Sequence, residues 1–504
     1  MLDIFNSLLN GFSVALQPAN LLSCFLGVLL GTLIGVLPGI GPVGGMALLF
    51  PVTFGMSPTS AIIMLAGIFY GTQYGGSTTS ILVNIPGEAA SVVTCLDGYQ
   101  MAKQGRAGPA LGIAAFGSFI AGTVGLVGLM AASPLAKFAL RFGPPEYFGL
   151  IFLGLTFVIY LSHGSVIKGI IMGAFGLILS TIGLDPILGL PRMTFEVLQL
   201  SDGINLVPIA MGLFGISEVL VNIESVATSE ILKTKIKNLF PTMSDWMQSK
   251  GAILRGSVLG FFVGILPGGT SVIASFLSYS LEKRISKNPE KFGKGAIEGV
   301  AAPESANNSA TAGNFIPLFT LGIPSNSVMA ILFAAFLIHG IQPGPFLLKD
   351  HPDIFWGVIS SMYVGNVMLL MLNLPLLPIW VKVLEVPPRI LFPLILLFCL
   401  IGSYSLNNNA FDVVVMIISG MLGYLVRKFG YEGAPLLLAF VLGPTFERNL
   451  RHSLALSGGN FLIFFTRPIS AVCIIIAIMF FVTSFIPFIT KGKKKFAYLT
   501  GGDE

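Results

Sequence analysis

The chain has 504 residues, of which 54% are hydrophobic and only 10% charged, and its mean hydropathy is +0.87. Soluble proteins of this size carry about a quarter of their residues as charged side chains, so this chain lacks the polar surface of a globular protein. The net charge of +5 comes from basic residues scattered through loops rather than gathered into a nucleic-acid-binding face.

The first residues contain Asp3 and no Lys or Arg, so no cleavable leader is expected. Apolar stretches follow at Leu21–Leu37, Ile113–Ala132, Phe148–Leu161, Ile170–Ile182, Ile354–Leu372, Ile390–Ile401, Val413–Val426 and Phe461–Ile489. A helix needs roughly 20 apolar residues to cross the hydrocarbon core, and by that rule about 10 to 14 membrane-entering helices are expected. The fold class read here is an all-α integral membrane protein. Cys24, Cys95, Cys399 and Cys473 are isolated and read as packing residues. His163, His339, His351 and His452 have no ligand spacing and read as interfacial, so no firm metal site is expected.

Landmarks recur in one order. Gly35-Val-Leu-Pro-Gly-Ile-Gly-Pro42 returns as Gly264-Ile-Leu-Pro-Gly-Gly-Thr-Ser271, and Ile85-Pro-Gly-Glu88 as Ile323-Pro-Ser-Asn326. Pro144-Pro145 matches Pro387-Pro388, and Pro208 through Glu218 matches Pro435 through Glu447, at separations of 227 to 243 positions. The spacing predicts two transmembrane repeats, 20–225 and 251–455, joined by a linker over 226–250. An extra helix over 456–490 and a basic cytoplasmic tail over 491–504 complete the chain. Pro51–Ser60 has no Lys or Arg, whereas its counterpart holds Lys283, Arg284, Lys287, Lys291 and Lys294. Lys103 and Arg106 reverse the bias after the second motif, and Arg427-Lys428 faces only Arg192. Because short basic loops stay cytoplasmic, the repeats are expected to have inverted topology.

Helices broken inside apolar sequence survive only where they line a cavity or lie within protein. Pro38-Gly39 and Pro267-Gly268-Gly269-Thr270 therefore read as tips of re-entrant hairpins, since the segment from Arg255 to Glu282 has only 28 residues. The second pair of breaks is polar. Ser77, Thr78 and Thr79 precede Asn84, Pro86 and Gly87 in one half; Asn307, Asn308 and Ser309 precede Pro324, Ser325 and Asn326 in the other. These are the expected substrate and ion contacts, with helix N-termini supplying N–H donors to an anion and a sodium ion expected near Asn84 and Asn308. Neither cluster contains Lys or Arg, so a co-bound cation would supply the positive charge. Glu88 and Glu304 sit within these motifs, and buried carboxylates are functional candidates. Glu218 and Glu447 fall at matching ends of the last repeat helices, where capping or interfacial pairing is an equally good reading.

No phosphate loop, zinc-protease motif or nucleophile elbow is present, so no enzyme is expected. The motifs resemble the large membrane subunit of bacterial tripartite tricarboxylate transporters. The likeness rests on Gly35–Pro42, Tyr74–Glu88, Glu298 through Ser309, Ile316–Pro324 and Ile338-His-Gly-Ile-Gln-Pro-Gly-Pro345, and it covers nearly the whole chain. That resemblance implies a translocation subunit of the bacterial inner membrane, beside a small membrane subunit and a periplasmic substrate-binding protein. It implies secondary uptake of citrate-like tri- and dicarboxylates coupled to sodium or protons, with no other cofactor. The competing reading is a channel-like pore for small organic anions, which would need a continuous polar lining.

Overall fold

The computed structural model describes residues 2–37, 39–130, 132–161, 165–185, 187–224, 239–384 and 386–499. Pro38, most of the 226–250 linker, His163 and the last residues of the tail lie outside them. The chain is helical, with a single two-residue pair of strands among the described residues.

The first half runs α1 (Leu2–Ala15), α2 (Pro18–Val36), α3 (Gly41–Leu49), α4 (Pro58–Val83), α5 (Val92–Lys103), α6 (Ala107–Met130), α7 (Ala132–Ala139), α8 (Pro144–Leu161) and α9 (Val166–Ser180). Strands β1 (Gly183–Leu184) and β2 (Pro191–Arg192) pair antiparallel, and α10 (Leu206–Ala210) continues through a π-helical turn, Met211–Ile216, into α11 (Ser217–Glu224). The second half runs α12 (Met243–Ile265), α13 (Ser271–Ile285), α14 (Glu298–Gly313), α15 (Phe315–Leu321), α16 (Ser327–Ile338), α17 (Leu347–Asp350), α18 (Pro352–Asn373), α19 (Leu377–Val383), α20 (Pro388–Asn407), α21 (Ala410–Lys428) and α22 (Gly433–Leu456). The short α23 (Ile463–Thr466) precedes α24 (Pro468–Leu499), so the last helix carries on past residue 490, where the sequence reading ended it.

Six helical spans among the described residues are long and apolar enough to cross a membrane: Pro18–Val36, Ala107–Ala139, Leu206–Glu224, Pro352–Asn373, Arg389–Asn407 and Ala410–Lys428. Six shorter apolar helices accompany them. The surface carries Leu254, Phe262, Val367, Ile418 and Met421, while Thr72, Gln73, Ser305 and Asn308 are buried. An apolar exterior over a polar interior is the arrangement a bilayer demands of a multi-pass protein.

The chain divides into two compact units. One comprises Met1–Leu140 and Asn205–Leu425, the other Arg141–Ile204 and Val426–Glu504. In the larger unit α2 packs along α4, and three glycines at every fourth position make that approach. A Cβ on Gly27, Gly31 or Gly35 would fall 2.4, 2.4 or 2.3 Å from the carbonyl oxygens of Met64, Ile68 and Thr72. On α12, Gly256, Gly260 and Gly264 meet the carbonyls of Ala302, Ala306 and Ala310 on α14 in the same way, at 2.5, 2.2 and 2.2 Å. The glycines are offset by 229 positions and their partners by 238. Small residues on one helix let its neighbour's backbone approach closely, as membrane helices require.

The hairpin read from Arg255 to Glu282 is present: Arg255 Nε and a terminal nitrogen donate to both Glu282 oxygens at 2.7 and 2.8 Å, pinning the bases of α12 and α13. Its arms are unequal, however. The capping box of Thr242 and Asp245 starts α12 at Met243, giving 23 residues, about 34 Å of helix. The first motif likewise joins the 19-residue α2 to the 9-residue α3. Each tip therefore connects one membrane-length helix to a short one rather than two half-length arms.

The last helix of each half packs on the penultimate pair of the other. In the larger unit, a Cβ on Gly212 of the π-helical turn would lie 2.6 Å from Ser419 Cβ on α21. In the smaller unit, a Cβ on Gly176 of α9 would lie 3.0 Å from Ala439 Cβ on α22. Gly212 and Ala439 are 227 positions apart, Gly176 and Ser419 are 243 apart, and both offsets belong to the repeat.

Candidate functional site

Both polar breaks are left-handed turns. Asn84 ends α4 at φ 58° and Gly322 ends α15 at φ 67°, 238 positions later. Asn and Gly are the residues that tolerate this conformation, which is why the helices stop there. The segment after each turn folds back. Gly87 lies so close to the Gly35 carbonyl that a Cβ would sit 2.1 Å from it. The following helical segments are capped by the protein's own side chains: Ala90 N–H donates to Glu88 Oε2 at 2.6 Å, and Met329 N–H donates to Asn326 Oδ1 at 3.0 Å. These ends were expected to offer free N–H donors to an anion. The structure instead fills one of them with a carboxylate.

Glu88 joins the two halves. Its Oε1 accepts from Asn307 Nδ2 of α14 at 3.2 Å, and its side chain lies over Gly76 of α4. Glu304, one turn earlier on α14, accepts from Ser77 Oγ at 2.5 Å through Oε2 and from Thr94 Oγ1 of α5 through Oε1. Ser80 Oγ donates to Ser91 Oγ at 2.8 Å beside them. Glu88 is 5% exposed and Glu304 1%. No lysine, arginine or histidine among the described residues forms an ion pair with either. Two carboxylates thus share a sealed seam without a basic partner.

A second group holds the other break to its hairpin tip. Gly268, at φ 78°, donates its N–H to the Ser325 carbonyl at 2.7 Å. With the Asn314 amide turned so that donors meet acceptors, its nitrogen donates to Gly264 O at 2.8 Å and Gly269 O at 3.0 Å, and its oxygen accepts from Asn326 Nδ2 at 3.0 Å. Ser325 Oγ donates to Asn314 O at 3.2 Å. Thr270 caps α13, accepting from Ile273 N–H at 3.4 Å, while Pro267 and Pro324 complete the turns.

The residues predicted from the sequence divide accordingly. Ser77 and Asn307 enter the acidic seam; Gly268, Gly269, Ser325 and Asn326 enter the second group. Thr78 is buried in α4, and Thr79 Oγ1 donates to Val36 O at 2.6 Å at the end of α2. Asn308 Nδ2 donates to Ser118 Oγ of α6 at 2.7 Å and to Glu304 O at 3.1 Å, and Ser309 Oγ to Ser257 O at 2.6 Å. Asn84 is exposed at its turn, with Pro86 half-buried next to it, whereas Asn308 is wholly buried. No hydrogen bond joins Asn84 to Asn308 among the described residues. Gly39, at φ 95°, abuts Asn222 and Glu218.

The glycine register corrects one alignment. Positions 304 to 311 correspond to 66 to 73 of α4, and Ser77 corresponds to Phe315. The polar runs are therefore not at matching positions. Where one half brings Ser77 to Glu304, the other brings Phe315 to Phe69, with ring centroids 6.4 Å apart, and stacks it on Tyr70 at 6.3 Å.

Sequence reasoning missed Thr94, Ser91 and Asp97. Asp97 is fully buried; its Oδ1 accepts from the N–H groups of Gly293, Gly295 and Ala296 at 2.7–2.9 Å, and its Oδ2 from Tyr279 at 2.9 Å. An acidic residue nine positions after Glu88, inside a weakly apolar helix, was the available signal. In the smaller unit Glu447 is paired: Arg192 holds both its oxygens at 2.8 and 3.2 Å, and Arg451 bridges it to Asp185 at 3.0 and 2.7 Å.

The family model described as the tripartite tricarboxylate transporter TctA family matches residues 21–438. An Agrobacterium vitis protein described as "Uncharacterized 52.8 kDa protein in TAR-I ttuC' 3'region" is 51% identical over 496 residues, covering 98% of this chain and 99% of that one. A second protein of the same organism, from the TAR-II ttuC' 3'region, is 54% identical over 227 residues, covering 44% of this chain and 94% of its own. No solved structure matches the chain. With both breaks and all the motifs inside the matched span, the chain belongs to the tripartite tricarboxylate transporter TctA family and is a multi-pass membrane subunit of such a transporter.

Proposed function

We propose that the chain forms the translocation pathway for secondary active uptake of citrate-like tri- and dicarboxylates across the bacterial inner membrane. A periplasmic binding protein would deliver the substrate, and a small membrane subunit would stand beside the pathway. Sodium or proton movement would drive accumulation.

One observation carries this reading: Glu88 and Glu304 are buried together with no basic partner among the described residues. Charge taken out of water is costly unless it is compensated. A carboxylate substrate approaching this seam meets its own sign of charge. Cation binding removes the repulsion and makes substrate binding favourable, and linkage then requires the substrate to favour the cation equally. That reciprocity is thermodynamic coupling.

The repeated register of the glycine contacts supports two equivalent halves, and the opposite basic bias of their loops supports inverted orientation. Alternating access would move one part of each repeat against the rest, opening the sealed seam first to one face and then to the other. Against a channel stands the confinement of polar side chains to buried clusters rather than a continuous lining. Co-reconstitution with the small membrane subunit and the binding protein tests the proposal. Labelled citrate should accumulate in vesicles and stop doing so when the sodium and proton gradients are both collapsed. Accumulation unaffected by either collapse would overturn it.

A further inference from the structure

We infer that the seam between α4, α5 and α14 is a single alkali-cation site that takes sodium, built from carboxylate oxygens of Glu88 and Glu304 and the amide oxygen of Asn307, with the hydroxyls of Ser77 and Thr94 alongside. The inference rests on the cation-coupled reading above and assigns that coupling to named atoms.

The carboxylates alone would not make a site. The independent observation is a buried acceptor with no partner. Asn307 is 1% exposed, and its Nδ2 is committed to Glu88, yet its Oδ1 has no hydrogen-bond partner. A buried acceptor without a donor is rare and costly, and a cation held beside the adjoining Glu88 carboxylate would satisfy it. The ligand set is entirely oxygen, with no imidazole, which selects a hard ion over a transition metal.

Each carboxylate oxygen already holds one N–H or O–H donor. That leaves few lone pairs, a ligand field suited to a weakly held monovalent ion. An ion that must leave again on the far side cannot be held as a divalent one would be.

The pseudo-equivalent position in the other half settles the number. Ala66 stands for Glu304, Phe69 for Asn307 and Phe315 for Ser77. That corner is a packed aromatic cluster with ring centroids 6.3–6.4 Å apart. The repeat duplicates the fold but not the ligands, so this layer of the molecule holds one ion rather than two.

The test is sodium binding to the purified full-length chain, read as thermal stabilisation by sodium chloride against equal choline chloride. Wild type should be stabilised with single-site saturation. Asn307→Ala and Ser77→Ala should each weaken the apparent affinity several-fold, and Glu304→Gln at least ten-fold. Glu290→Gln, on the exposed turn Pro289–Lys291, should match wild type. A wild-type response retained in Asn307→Ala and Ser77→Ala would overturn the site even if Glu304→Gln failed to fold. So would a wild type insensitive to sodium, and this would leave proton-driven transport standing. Sodium binding as predicted, in vesicles where no gradient drives uptake, would keep the site and remove the transport reading.

Discussion

At the scale of single residues, the close approaches decide what each position tolerates. Gly31 and Gly260 place a Cβ 2.4 and 2.2 Å from a neighbouring carbonyl oxygen, and backbone cannot move aside as a side chain can. Overpacking a tight contact costs about 1–3 kcal/mol or more. Gly31→Leu and Gly260→Leu are therefore expected to lower the melting temperature of the purified chain by similar amounts, being equivalent positions. A loss confined to one half would contradict the shared register. Asn84 and Asn326 differ in kind. Asn84→Gly should leave stability nearly unchanged because the left-handed turn suits glycine. Asn326→Ala should cost about 1 kcal/mol, since it removes the cap of α16. The acids, the amide-rich run and the Pro-Gly breaks were all legible as residue types. Their partners were not: Thr94 is an ordinary helix residue whose role depends on α5 lying against α14, which no local spacing encodes.

At the scale of elements, the exchanged last helices make a geometric claim. On Gly176 a Cβ would fall 2.2 Å from the Leu436 carbonyl oxygen of α22. Gly176→Leu should therefore lower the melting temperature of the purified chain, and an unchanged melting temperature would contradict the packing of α22 on α9. The loop after α9 offers a second element-scale test. Hydrogen bonds from the N–H of Leu188, then the Arg451 guanidinium and the N–H of Ile187, hold the Asp185 carboxyl well below its ordinary value. A depressed folded-state pKa gives stability that is complete above the unfolded value, near 4, and is lost as pH falls toward the folded one. Asp185→Asn should thus destabilise the chain at pH 7, and the gap to wild type should narrow progressively below about pH 4. A gap that does not change with pH would mean the carboxyl is not what the loop depends on. The hairpin was readable from Pro-Gly and flanking charge, but its unequal arms were not, because the start of α12 is set by a capping box outside the apolar run.

At the scale of the whole molecule, the sequence offers four ordered landmarks, and the glycine contacts of α2 on α4 recur in those of α12 on α14 at offsets of 229 and 238 positions. What the sequence concealed was the asymmetry. The polar runs 71–80 and 303–311 look like counterparts by composition, while glycine packing puts Ser77 opposite Phe315. Composition clusters do not reveal register; backbone approaches do. The two corners differ in chemistry: one is acidic at Glu88 and Glu304, the other aromatic at Phe69, Tyr70 and Phe315.

The most direct test of the account is concentrative uptake of citrate by vesicles holding the complete transporter with Glu304→Gln in this subunit, compared with wild type under an imposed sodium gradient. The account predicts that the variant assembles but no longer accumulates citrate above the outside concentration. Wild-type accumulation by Glu304→Gln, with its usual dependence on the gradient, would contradict it.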